Sequence, residues 1–138
     1  MARDGVEYDN RCFGCGELND EGLQLRFTPD DSGVVTARFA VPGRYQSWAG
    51  VVHGGVVALL LDEAAGWAAW HAGSPGVTCK LEVRYRLPLK VGEEVEIVGR
   101  LDRQRRSLSY VSAWVDRVAD GARVADAAAT LMAVAVSA

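Results

Sequence analysis

Two glycines follow a histidine in His53-Gly54-Gly55, the apolar run Val56 to Leu61 comes next, and the run ends in two adjacent carboxylates, Asp62 and Glu63. Free backbone N–H groups at the start of a helix form a site for an anion, and glycine lets a ligand approach them closely. A carbonyl becomes an oxyanion when it is attacked, so such donors suit acyl transfer. A carboxylate inside an apolar stretch is costly unless it is paired, neutralised or put to use. Asp62 and Glu63 are therefore candidates for a base, a nucleophile or a binding group.

The elements that must position these residues can be read from periodicity. Leu23 to Phe27 alternates apolar and polar residues and stops at the turn formers Pro29 to Gly33, which predicts a strand. Val35 to Val41 predicts a second, ended by Pro42-Gly43. After a loop from Arg44 to Val52, a helix is expected from about Gly54 to His71, closing near Gly73-Ser74-Pro75-Gly76. Next comes a strand with Val77, Cys79, Leu81, Val83, Tyr85 and Leu87 on one face and Thr78, Lys80, Glu82, Arg84 and Arg86 on the other. Three more strands follow, roughly Glu94 to Asp102, Ser107 to Val118 and Arg123 to Val136, the last two joined through the hairpin pair Asp120-Gly121. The fold class expected is α+β, an antiparallel sheet with one apolar helix laid on it.

Helical geometry separates the two carboxylates. At about 100° per residue, Asp62 shares its face with Ala58, Ala65, Gly66 and Ala69, and Glu63 shares its face with Val56, Leu59, Trp67 and Trp70. His53 and Asp62 lie nine residues apart, about 13.5 Å along the axis, so both cannot touch one carbonyl within a single subunit. If they cooperate, a second, antiparallel copy of the helix must complete each site, which makes the working unit a two-fold dimer.

Composition limits the setting. The 138 residues, 49% hydrophobic, suit one domain spanning 1–138, with 1–22 as an N-terminal extension carrying a Cys-rich turn. The net charge of −3 argues against nucleic acid as a partner. No apolar run is long enough to span a membrane, and Met1 to Gly5 has no signal-peptide pattern, so a cytoplasmic location is expected. Cys12-Phe13-Gly14-Cys15 has the spacing of half a zinc site. No second pair follows, and Cys79, His53 and His71 would complete it only through the fold or across a dimer, so no metal is expected.

His53-Gly54-Gly55 with an acid nine residues beyond the histidine resembles the hotdog-fold acyl-CoA thioesterases, in particular the branch of the phenylacetic-acid pathway thioesterase and its vertebrate mitochondrial relatives. Cys12 to Gly16, Gly22 to Phe27 and Pro75 to Thr78 resemble further segments of the same proteins, so most of the chain is covered. The resemblance implies a hotdog fold, in which a curved antiparallel sheet of five to six strands wraps around one long central helix. It also implies a homodimer or dimer of dimers, no cofactor beyond the CoA of the substrate, and hydrolysis of an acyl-CoA with an aromatic or short- to medium-chain acyl group.

The resemblance makes Asp62 the catalytic acid, as nucleophile or general base, and Gly54 the oxyanion donor beside Gly55. His53 would orient that end or cap the helix. Thr78 would position water, although strict alternation puts it on the polar face. The amide that family members carry six or seven residues before the histidine is replaced here by Gln46 and Ser47, either of which would contact substrate or water, while Glu63 is a rival for the acid. Arg103, Arg105 and Arg106, in the turn between two strands, are expected to meet CoA phosphates, with Lys80, Arg84 and Arg86 as a second basic row. Trp48, Trp67 and Trp70 would line an acyl pocket. Two other readings share these features: a hotdog hydratase or dehydratase, and an acyl-CoA binding protein without turnover.

Overall fold

The computed structural model describes residues 6–137; Met1 to Gly5, on which the leader expectation rests, lie outside them. In chain order the elements are β1 (Val6–Glu7), β2 (Thr28–Pro29), β3 (Val35–Ala40), α1 (Gly54–His71), β4 (Gly76–Tyr85), β5 (Glu94–Arg105), β6 (Leu108–Arg117), β7 (Arg123–Ala133) and β8 (Val136–Ser137). Six strands form one antiparallel sheet in the order β2-β3-β5-β6-β7-β4, and α1 packs across it against β3, β4, β5, β6 and β7. This is the hotdog arrangement the sequence predicts, with six strands around one helix.

Helix and sheet meet through aliphatic residues, with alanines filling the later turns of α1. Val57, Leu60, Leu61, Ala64, Ala65, Ala68 and Ala69 are buried against the sheet. The approach is closest at Gly99 of β5, where a Cβ would collide with the Ala64 carbonyl, so glycine is the residue that lets strand and helix touch. At the helix C-terminus the N–H of Gly73 bonds to Trp70 O and that of Ser74 to Ala69 O, a Schellman closure that ends α1 where the Gly-Ser-Pro-Gly run predicts. No helix among the described residues is long and apolar enough to cross a membrane.

The sequence expectations are corrected in four places. Leu23 to Phe27 is not a strand. Leu23, Leu25 and Phe27 are buried and alternate with exposed Gln24 and Arg26, but Gln24 has φ 52°, which no ladder accommodates. The segment bonds instead to the Cys-rich turn, Leu23 N–H to Phe13 O and Leu25 N–H to Gly14 O, and only Thr28–Pro29 joins the sheet. The last predicted strand breaks after Ala133, and Val136–Ser137 pairs in parallel with Val6–Glu7 as a separate ribbon. Arg103 and Arg105 lie within β5, leaving only Arg106 and Ser107 in the turn. Finally, the register of β4 on β7 shifts between Thr78 and Lys80. The extra residue, Cys79, turns Thr78 onto the face of buried Leu131, its partner across the ladder.

Candidate active site

The β4 bulge has a chemical consequence. With Thr78 turned toward the helix, its Oγ1 donates to Asp62 Oδ1 at 2.6 Å. The pair stands in a cavity of ≈ 390 Å³ whose walls include Tyr8, Gly66, Trp67, Trp70 and Val77. Asp62 is half-buried on the helix face turned away from the sheet, in a row with half-buried Gly54, Ala58 and Gly66 at steps of four. Ala65 and Ala69, expected beside Asp62, belong to the core instead.

Glu63, one residue on, points elsewhere. Its carboxyl lies over the Cys-rich turn and accepts from Cys12 Sγ at 3.4 Å. A Cβ on Gly14 would run into that carboxyl, so the glycine is what lets Glu63 lie this close over the turn. Burial pushes Glu63 above the usual carboxylate range, the neighbouring Asp62 charge adds to the rise, and hydrogen bonds from Cys15, Cys12 and Trp67 oppose it. Burial likewise raises the Cys15 thiol and the Tyr8 phenol, which hydrogen-bond to each other across 3.7 Å. Glu63 thus borders the cavity from a half-buried cluster with Cys12, Cys15 and Tyr8, and Asp62 is the carboxylate held by a hydroxyl.

The other end of α1 is built differently. His53, φ −59° and ψ 134°, is the N-cap, and its Nδ1 accepts from Gly55 N–H at 2.9 Å, which is the capping alternative of its two expected roles. With Nδ1 used as the acceptor, Nε2 is the ring nitrogen left to donate. Gly54 N–H has no acceptor among the described residues, while Gly54 O accepts from Tyr85 Oη at 2.8 Å. A second cavity of ≈ 360 Å³ opens here, lined by Ser47, Val52, Gly54, Val57, Tyr85 and Arg86 among others. It shares no lining residue with the Asp62 cavity.

Of the two amide stand-ins, Ser47 lines this second cavity. Gln46 Oε1 is taken by Gly50 N–H at 3.0 Å, inside the loop. Arg103 stacks over the Tyr110 ring at 4.2 Å, and neither it nor Arg105 nor Arg106 borders either cavity; Arg86, paired with Asp126, is the basic residue that does. Trp67 and Trp70 line the Asp62 cavity as expected, but Trp48 stands 83% exposed in the loop before α1. Tyr8 and Tyr85 are site residues that the sequence does not single out. Tyr85 carries a signal, since its alternation with Leu81 and Val83 aims it at the helix, whereas Tyr8 reaches the cavity only through the fold.

A family model described as Thioesterase superfamily matches residues 49–121. Acyl-coenzyme A thioesterase 13 of Homo sapiens is 28% identical over 95 residues, 67% of this chain and 68% of that one. Among solved structures, a thioesterase superfamily protein superposes with a TM-score of 0.84 at 25% identity over 89% of this chain, which spans 60% of that protein's length. A hypothetical thioesterase protein of Streptococcus pneumoniae TIGR4, solved with coenzyme A, gives a TM-score of 0.75 at 22% identity over 82% of this chain and 91% of that one. Variants of the pneumococcal protein carry alanine for an aspartate and for a threonine sixteen positions apart, the spacing of Asp62 and Thr78.

Proposed function

Because the chain belongs to the thioesterase superfamily, we propose that it hydrolyses the thioester of an acyl-CoA to a free acid and CoA, with Asp62 as the catalytic acid. The observation that carries the assignment is the Thr78 hydroxyl donating to Asp62 Oδ1 at the floor of an aromatic cavity. Curated relatives named acyl-coenzyme A thioesterase and a neighbour solved with coenzyme A support the substrate class.

In the reaction, an oxygen nucleophile attacks the thioester carbonyl carbon, the C–S bond breaks, and CoA leaves as the thiolate. Asp62 either removes the proton from attacking water and passes it to the departing sulfur, or attacks as the carboxylate and gives an anhydride that water then opens. Both routes consume one water and yield one acid and one thiol. Label found in Asp62 after a single turnover in ¹⁸O-water establishes the second route, with water opening the anhydride at the aspartyl carbonyl. Thr78 holds the carboxylate in place. The Gly54 N–H, unsatisfied and at the positive end of the helix, is the oxyanion donor.

Donor and carboxylate reach one carbonyl only if a second copy supplies the Gly54 end, so the working unit is a homodimer. The free edge of β4, unpaired among the described residues, and the exposed Val77, Tyr85 and Leu87 support this assembly. The acyl group enters the cavity walled by Trp67 and Trp70, which suits an aromatic or short- to medium-chain acid and fits the phenylacetic-acid branch. The CoA portion runs toward Ser47 and Arg86 of the other copy.

The test is thiol release from a panel of CoA esters. Wild type releases thiol and Asp62→Ala does not, while binding without release in wild type would leave a binding protein. Sedimentation of the same samples reads the dimer against a dimer of dimers.

A further inference from the structure

We propose that Cys12, Cys15 and Glu63 form a binding site for a soft divalent cation of the zinc class, with a fourth coordination position open to the cavity. This reverses the expectation that no metal is held, because the missing ligand comes from α1 and not from a second cysteine pair. The donor atoms of the three residues lie within 4.8 Å of one another. Tetrahedral zinc, with bonds of about 2.3 Å to sulfur and 2.0–2.2 Å to carboxylate oxygen, has donor–donor edges of roughly 3.5 Å, so side-chain rotations of about an ångström close the site.

The turn brings the two sulfurs to one side of the backbone. Gly14 N–H donates to Cys12 Sγ at 3.4 Å, and Gly16 N–H closes the turn on Cys12 O at 2.9 Å. Two glycines make the geometry available. A Cβ at Gly14 would strike the Glu63 carboxyl, and one at Gly16 would strike the backbone of Asn10 to Cys12. Paired thiolates select zinc over magnesium or calcium.

Loading would displace two thiol protons, leaving two thiolates and a carboxylate around a doubly charged ion, a centre of net charge −1. Tyr8 Oη, 3.7 Å from Cys15 Sγ, is placed to donate to that sulfur. Cys15 and Glu63 both line the cavity, so in the loaded site water would reach the fourth position from there. The cation would tie the N-terminal segment to α1. It touches neither Asp62 nor Gly54, so the site stands or falls independently of the thioesterase assignment.

The full chain, reduced and stripped with chelator, is titrated with Co²⁺ alone. One equivalent per chain should raise a thiolate-to-cobalt charge-transfer band, and one equivalent of Zn²⁺ should bleach it. Cys12→Ser and Cys15→Ser should each remove the band, Glu63→Gln should weaken Co²⁺ affinity at least about tenfold, and Cys79→Ser should change nothing. Because a cysteine variant can lose its fold, a second measurement uses wild type. Zn²⁺ should protect Cys12 and Cys15, but not exposed Cys79, from alkylation read by mass spectrometry. No charge-transfer band, a band that survives both serine variants, or alkylation of Cys12 and Cys15 unaffected by Zn²⁺ overturns the site.

Discussion

At its first turn α1 offers backbone donors, and two turns later it offers a carboxylate held by a hydroxyl. The Gly54 end is lined by a loop serine, a tyrosine and an arginine, and its N–H is unspent. The Asp62 end is walled by indoles, and its side chain is already engaged by Thr78. One end can stabilise negative charge, the other can create it, and one straight helix keeps them apart. In the proposed dimer each helix would lend the other the half it lacks, and the row Gly54, Ala58, Asp62, Gly66, small apart from the aspartate, is the face across which it would do so.

The strongest way to break this division is to remove each half separately. Asp62→Ala should lower kcat at least about 10³-fold with little change in KM, because it deletes the group proposed as nucleophile or general base. Gly54→Pro should cost about 10²–10³-fold in kcat, the usual loss for one oxyanion donor. Proline at the first helical position keeps α1 intact, and His53 already has the extended backbone that a following proline demands. An unchanged melting temperature beside lost turnover therefore isolates the missing N–H. Full activity in Gly54→Pro would remove that end from the chemistry.

Mixing the two inactive variants after dissociation and reassembly sharpens the comparison further. If each site takes Asp62 from one chain and Gly54 from the other, half the dimers are mixed and each of those has one intact site, so about one quarter of wild-type activity returns. Two halves contributed by the same chain give no recovery. Thr78→Val keeps the shape and deletes the hydroxyl, and it should lower kcat about tenfold, the scale of a lost positioning bond of about 1.4 kcal/mol.

The helix is the legible part of the chain. Its Gly-Gly start, its small-residue stripe and its Gly-Ser-Pro-Gly stop are local signals, and periodicity alone places α1 and separates Asp62 from Glu63. Through-space geometry set by single residues is not legible in the same way. Thr78 alternates as a polar-face residue, and only the extra Cys79 turns it to Asp62. Leu23 to Phe27 buries the expected side chains, yet Gln24 at positive φ denies it a ladder. The company of Glu63 with Cys12 and Cys15 spans 51 positions from Cys12, and no periodicity reports that.

The smallest expected effect lies at the Gly54 end, in the Arg86–Asp126 pair. The hydrogen bond from Arg86 holds Asp126 below the usual carboxylate range, and the charges of Arg86, Arg123 and Arg84 add to it. A group depressed on folding contributes stability in full above its unfolded value of about 3.9 and loses it as pH falls through the lower folded value. With side chains 47% and 28% exposed, the pair is screened and is worth less than about 1 kcal/mol. Asp126→Asn should therefore melt about 1–4 °C below wild type from pH 6 to 8. That gap should narrow in added salt and vanish at pH values below the ordinary carboxylate range. A gap that persists in acid would mean the asparagine disturbs packing and that the charge of Asp126 is not what holds Arg86. Because Arg86 is proposed to meet the CoA portion and not the reacting carbonyl, the same variant should shift KM for a CoA ester and leave kcat within about twofold. A kcat that falls with KM unchanged would take Arg86 out of CoA binding.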